Sequence, residues 1–280
     1  MSKANNASDK SGNVCLNRTG PGGFELKRIL RSVLASPDFE ETLKGLDIPP
    51  ERIISPLLCF LYETDELIRW RAVRGVGITV SALAEKDLES ARIIMRRFIW
   101  SLNDESGGIG WGAPEAMGEI MAENGTLAGE YHRILISYID ENGNPLGNDE
   151  LERGVMWAIG RLARKRPELL RDWTRPVLAQ LNSPDPVKRG LALRTLLLLV
   201  EGISVNANLS AASFRQKPQS SQTPSRDMIE TERLAPLLLP LLEDQNQIRI
   251  FEDGVFVEQK ICRLASELLG RSASPEAAAD

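Results

Sequence analysis

The chain is poor in the residues that build metal sites and disulfide frameworks. It holds one histidine and three cysteines. Cys15, Cys59 and Cys262 are odd in number and widely spaced, and no CxxC pair occurs, so neither a disulfide framework nor a zinc cage is expected. His132 alone cannot supply a histidine-based metal site. We therefore expect no metal and no cofactor. Aromatic residues make up only 5% and β-branched runs are rare, which points away from a sheet-dominated core. Positive charge is not in excess: the net charge is -5, so no overall basic field exists to gather nucleic acid, although a local basic stripe remains open. No apolar run reaches the ~18 residues needed to cross a bilayer. Met1–Gly23 is polar and lacks an apolar signal core, so it is expected to be a mobile tail, and the protein cytoplasmic with no membrane association.

What is abundant is leucine, alanine, glutamate and arginine, all good helix formers. They are arranged in a repeat. Trp70-Arg-Ala-Val-Arg-Gly-Val-Gly77 is followed by Trp111-Gly-Ala-Pro-Glu-Ala-Met-Gly118 and Arg153-Gly-Val-Met-Trp-Ala-Ile-Gly160. A weaker copy, Arg189-Gly-Leu-Ala-Leu-Arg-Thr-Leu196, has leucine in place of the last glycine. The strings end at 77, 118, 160 and 196, at intervals of 41, 42 and 36 residues. Each is followed by a second helical pattern closing on turn residues: Phe98–Asp104, Leu135–Glu141, Val177–Ser183 and Leu237–Asp244. Another such pattern, Ser55–Glu63, precedes the first copy. In that copy Ile68, Ala72, Gly75, Val76, Thr79 and Leu83 fall on one helical stripe. A glycine inside a helix costs about 1 kcal/mol relative to alanine. A cost repeated at 75, 77, 118 and 160 implies a repeated reason, and close approach of a neighbouring helix is the natural one.

These segments resemble HEAT repeats over residues 50–245. Arg69-Trp-Arg-Ala-Val-Arg-Gly-Val-Gly77 looks like the HEAT pattern of a charged residue before an alanine-rich helix ending in Leu-Gly or Val-Gly. Gly107–Glu119 and Ile248–Gly254 are also similar to a HEAT family of anaerobic bacteria with no established activity. The resemblance implies an all-α fold: a right-handed α-α superhelix, a HEAT/armadillo-like solenoid, here with a small C-terminal β-hairpin. It also implies that the second helix of each pair lines the concave face.

The expected organisation is a tail over 1–23, capping helices over 24–49 broken at Pro37, and HEAT-like repeats over 50–245 with a mobile loop at 204–226. A hairpin and helix then span 246–270, before a disordered tail over 271–280. The loop separates a helix near Pro186–Gly202 from one near Asp227–Glu243. Asp253-Gly254 is a strong two-residue hairpin signal, placing Phe251 opposite Phe256, Ile250 opposite Val257 and Arg249 opposite Glu258. The hairpin is expected to seal the last repeat.

Candidate chemistry is sparse. Gly107–Gly112 holds four glycines, but a helix leads in and no GKS/T follows, so a nucleotide fold is rejected. The helix start near Ala113, with Pro114 in its first turn, could accept an anion or simply follow a flexible turn. Glu115, Glu119, Asp149 and Glu150 fit helix starts and have no nucleophile or metal partner, so no catalytic residue is nominated. Cys59 sits among apolar residues and is expected in the core. Trp70 and Trp111 stand at matching repeat positions, and stacking would bring their indoles together. The second helices carry a basic-aromatic stripe through Arg96, Trp100, Tyr131, His132, Arg133 and Trp173. With Arg74 and Glu115 these are the candidate binding residues, suited to another protein, an acidic peptide or an acidic surface. The alternative to a solvated, internally paired face is thus a binding groove. The function this favours is a non-catalytic protein-binding scaffold or adaptor. The alternative is a HEAT-like enzyme or nucleic-acid binder of the DNA-alkylation-repeat or bilin-lyase-like kind.

Overall fold

The computed structural model describes residues 21–104, 110–213 and 231–273. The helices are α1 (Gly23–Ala35), α2 (Phe39–Lys44), α3 (Pro50–Phe60), α4 (Glu66–Ala84), α5 (Leu88–Asn103) and α6 (Ala113–Glu123). They continue with α7 (Gly125–Ser137), α8 (Asp149–Lys165), α9 (Thr174–Ala179), α10 (Pro186–Ser213), α11 (Thr231–Leu238) and α12 (Ile261–Ala273). A 3-10 run, Pro167–Trp173, leads into α9, and β1 (Gln247–Glu252) and β2 (Val255–Lys260) form the one sheet among the described residues. None of the described helices is long and apolar enough to cross a membrane.

Side chains set four of the helix starts. Asp65, Asp87, Asn124 and Asn148 each accept backbone N–H bonds from the first turn of α4, α5, α7 and α8. Each satisfies donors that the helix itself cannot pair. For α6 the stop before the helix is Gly112, whose φ of 73 lies in the left-handed region, followed by Pro114 in the first turn.

Four of these helices stack in order, α4 on α6, α6 on α8 and α8 on α10. The glycines explain the closeness. A Cβ on Gly77 would lie 2.6 Å from Glu119 Cβ, and one on Gly118 would lie 2.6 Å from Ala158 Cβ and 2.7 Å from its Cα. Both are below any real Cβ contact, so the backbones meet where the side chain is missing. Leu196, at the fourth position, is buried on α10, whose further neighbour is α12. The helices α5, α7 and α9 form a second layer. One continuous apolar cluster runs from Leu26 in α1 to Leu268 in α12.

Several boundaries differ from the sequence reading. α10 continues to Ser213, through alanine-rich sequence with no proline before Pro218. The expected loop is therefore helical over 204–213, and the rest of it lies outside the described residues. After α11 the chain tightens into a 3-10 turn over Leu239–Glu243, because Pro236 and Pro240 remove backbone donors. Cys59 is exposed rather than in the core, its thiol donating to Ser55 O.

The hairpin forms in the register that Asp253-Gly254 dictates, with Phe251 facing Phe256, Ile250 facing Val257 and Arg249 facing Glu258. Asp253 (φ 49) and Gly254 (φ 85) both adopt the left-handed conformation that such a turn requires. The hairpin reaches far beyond the last repeat. Ile248 packs where Gly190 of α10 lacks a side chain, Phe251 meets α4 and α8, and Gly254 lies beside Phe39 of α2. Arg249, opposite Glu258, turns its guanidinium over Phe256 and bonds Glu66 at the start of α4.

The α6–α8 approach is testable. Gly118→Ala is expected to destabilise the chain by about 1–3 kcal/mol through overpacking. Adding Ala158→Gly should recover part of that loss despite its own helix penalty. Strictly additive effects in urea unfolding would contradict the contact.

Candidate functional site

The face of the α4–α6–α8–α10 ladder turned toward the hairpin carries a cluster of aromatic and charged side chains. Trp70 of α4 and Trp157 of α8 meet with ring centroids 4.7 Å apart, and Phe251 of β1 stacks on Trp70 at 5.4 Å. Phe256 closes the group edge-on at 5.3 Å from Phe251. The Trp157 indole N–H donates to the carbonyl of Phe251 at 3.1 Å. A buried indole therefore has its partner, and so does a buried strand carbonyl.

Beside the aromatics runs a chain of ion pairs across the helices. Arg74 of α4 grips Glu40 of α2 with two parallel bonds of 2.9 and 3.0 Å, and also reaches Glu119 at 2.8 Å and Glu123 at 2.5 Å. Arg161 of α8 reaches the other oxygen of Glu119 at 2.9 Å. The Glu119 side chain is only 3% exposed, so one buried carboxylate ties two helices on either side of its own. Burial works against charge on Arg74, but Glu40, Glu119 and Glu123 outweigh it and raise its pKa above the ordinary arginine value. Arg164 of α8 binds both hairpin acids, Glu252 at 3.3 Å and Asp253 at 2.9 Å, and Arg194 of α10 also pairs with Glu252. Arg164 holds the Asp253 carboxyl below its usual range.

Between hairpin and ladder lies a cavity of about 280 Å³. Its walls mix an apolar floor, including Trp157, Leu198 and Ile250, with a rim of arginines and carboxylates. Arg164, Lys165 and Arg194 continue into an adjoining depression. The Arg194 Nε is enclosed and has no hydrogen-bond acceptor among the protein atoms.

Of the residues singled out from sequence, Trp70 and Arg74 belong to this cluster. Trp111 stands in the turn before α6, partly exposed, and does not join Trp70. Glu115 lies on α6 with its carboxyl lodged against Gly154 of α8; part of the residue reaches the surface, but Oε2 is enclosed and unpartnered. Burial pushes its pKa up to about 7, with Glu150 adding to the rise and its own backbone N–H and the Arg69 charge opposing it. Tyr131 and His132 are buried in α7, and the His132 Nδ1 lies 2.8 Å from the carbonyl of Ala128. Arg96 pairs with Glu89, and Arg133 lies over Trp173 at 5.9 Å. Trp100 is 75% exposed, in a shallow hollow with Ile93, Arg96 and Arg97. The basic-aromatic stripe thus belongs to the second layer, while the enclosed face belongs to the helices that carry the glycines. Each glycine-bearing helix packs on the helix that follows it, α4 on α5 and α6 on α7, as the order of the repeat implies.

Four helices at a spacing near forty residues, stacked edge to edge under one apolar core, decide the architecture. The chain is a HEAT-like α-solenoid. No protein-family profile matches it. An uncharacterized protein of Archaeoglobus fulgidus is 28% identical over 193 residues, covering 68% of this chain and 96% of the relative. Among solved structures, a designed armadillo repeat protein superposes with a TM-score of 0.48 at 15% identity, covering 90% of this chain and 95% of that one. The archaeal HEAT-like repeats protein from Thermococcus onnurineus gives 0.37 at 14% identity, covering 91% and 98%.

Trp157, Arg161, Arg164, Arg194 and the Phe251–Asp253 segment were not visible as site residues in the sequence. One signal was present: Trp157 and Arg161 repeat the four-residue step of Trp70 and Arg74.

Two measurements follow. Glu119→Gln leaves two arginines facing a neutral amide, and should cost about 3–5 kcal/mol in urea unfolding. A loss below 1 kcal/mol would show that the network does not hold the ladder. Glu115 acts oppositely. Its folded pKa near 7 stands above the ordinary 4.5, so the contribution to stability is complete below about pH 4.5 and is lost as pH rises to 7. The loss is on the order of 3 kcal/mol. Glu115→Gln should therefore stabilise the chain at pH 8 and change little at pH 4; a pH-independent difference would refute the burial account.

Proposed function

We propose that the chain is a non-catalytic protein-binding scaffold whose working surface is the hairpin-side face of the ladder. One observation carries this reading. That face already holds an extended segment, Phe251–Asp253, through side chains drawn from three separate ladder helices. Tryptophan and arginine converging on one groove are the residue types that dominate binding hot spots. The partner is a segment of another protein with acidic character, because the side chains that grip the segment's carboxylates are arginines.

Two features weigh against the enzyme and nucleic-acid alternatives. Glu115 has a pKa suited to proton transfer, but its carboxyl is sealed against Gly154 and lines none of the cavities described above. Several arginines of both layers face carboxylates: Arg92 faces Glu130, Arg96 Glu89, Arg153 Asp185 and Arg189 Asp244. Phosphate binding would have to break these pairs.

A photo-crosslinking amino acid placed at Val255, on the exposed hairpin, and separately at Trp100, on the second layer, tests the scaffold. A stoichiometric protein adduct in native extract should form from position 255 and disappear when Arg164→Glu is added. Adducts from position 100 alone would place the working surface elsewhere.

A further inference from the structure

We infer that Phe251-Glu252-Asp253 is a built-in occupant of a recognition groove, and that the groove's external ligand is a peptide segment with an aromatic residue followed by two carboxylates. This rests on the scaffold reading and specifies the partner's chemistry and the competition it meets.

The contacts have the form of peptide recognition. Three consecutive residues are read by side chains far apart in sequence. Trp70 stacks on the Phe251 ring, and Trp157, packed against Trp70, donates its indole N–H to the Phe251 carbonyl. Arg194 and Arg164 take the Glu252 carboxylate, and Arg164 takes that of Asp253. A main-chain bond combined with side-chain anchors gives both affinity and selectivity.

The occupant is held firmly at its base and lightly at its tip. Ile248 sits in the gap at Gly190, and the amides of Ile261 and Cys262 bond to Asn246 and Asp244, which fixes the base. At the tip the Asp253 side chain is 67% exposed, and even a Cβ added at Gly254 would come no closer than 3.7 Å to its nearest neighbour, Phe39. A two-stranded ribbon has little stability of its own. Releasing residues 250–255 gives up the burial of Ile250 and Phe251, which the incoming ligand's own aromatic residue must replace. The segment also underfills its groove. The remaining cavity of about 280 Å³ keeps Lys165 and the enclosed Arg194 Nε within reach of a longer acidic ligand.

Tethering gives the hairpin an effective concentration on the order of millimolar, so a free peptide must beat that to bind the parent chain. The test uses a fluorescently labelled synthetic peptide of the chain's own residues Ile248–Phe256, titrated against the full chain and followed by anisotropy. The Phe251→Ala/Asp253→Asn variant vacates the groove and should bind the peptide at least 10-fold more tightly than the parent. A peptide lacking its phenylalanine should not bind, and adding Arg164→Glu to the variant should abolish binding. Circular dichroism and a cooperative melt establish that each variant folds. Should the double variant fail to fold, Glu252→Gln/Asp253→Asn keeps the aromatic anchor and serves in its place, with the same expected order. A folded variant that binds no better than the parent overturns the inference. The scaffold reading fails separately: crosslinks confined to the second layer remove it whatever the peptide does.

Discussion

The structure turns on the contact between Gly77 and Glu119. The missing side chain at 77 lets α6 approach α4 until the Cβ and backbone of Glu119 occupy the space a Cβ would need. That approach buries the Glu119 carboxylate, and a buried carboxylate requires partners. Arg74 from one side and Arg161 from the other supply them. The same two helices then carry Trp70 and Trp157 one turn earlier, so the packing contact that spaces the ladder also places the aromatic pair. Fold and groove are consequences of one close approach rather than separate inventions. The charge network orients the helices more than it stabilises them, since desolvation of buried ions offsets much of their attraction.

The architecture was legible because its physics is periodic. Glycines that cost helix stability at regular intervals announce a repeated backbone contact, and Gly77 and Gly118 make such contacts. The hairpin was legible for a local reason, the left-handed pair Asp253-Gly254. The groove was legible only at Trp70 and Arg74. Trp111 stands at the same distance from its glycine as Trp70, but α6 starts at Ala113, after a left-handed Gly112, and so leaves Trp111 off the helix. Trp157 stands elsewhere in its repeat string, yet it is the residue that reaches Trp70. Which helix layer faces the hairpin depends on where the hairpin lands, and no repeat motif records that. The landing of Phe251 on helices about 100 and 180 residues upstream leaves no local trace in the sequence at all.

The second layer and the ladder face differ in how their charges are used. Outer arginines such as Arg92 and Arg96 pair with carboxylates in or near solvent, where an ion pair contributes little. On the ladder face the arginines are mostly enclosed and gripped from several directions, which fixes their guanidinium planes. Fixed planes read a carboxylate's geometry, whereas mobile ones supply only charge.

A stack of helix pairs is ordinarily a one-dimensional array, in which each unit touches its neighbours and the ends can fray independently. The pairing of Arg249 with Glu66, and the stacking of Phe251 on Trp70, fasten the hairpin near the end of this chain to its first repeat. A ribbon thus spans the array from its last helices back to its first repeat. Its two ends then share one fate, and loosening the ribbon would return to the chain the springlike compliance that unbraced solenoids have.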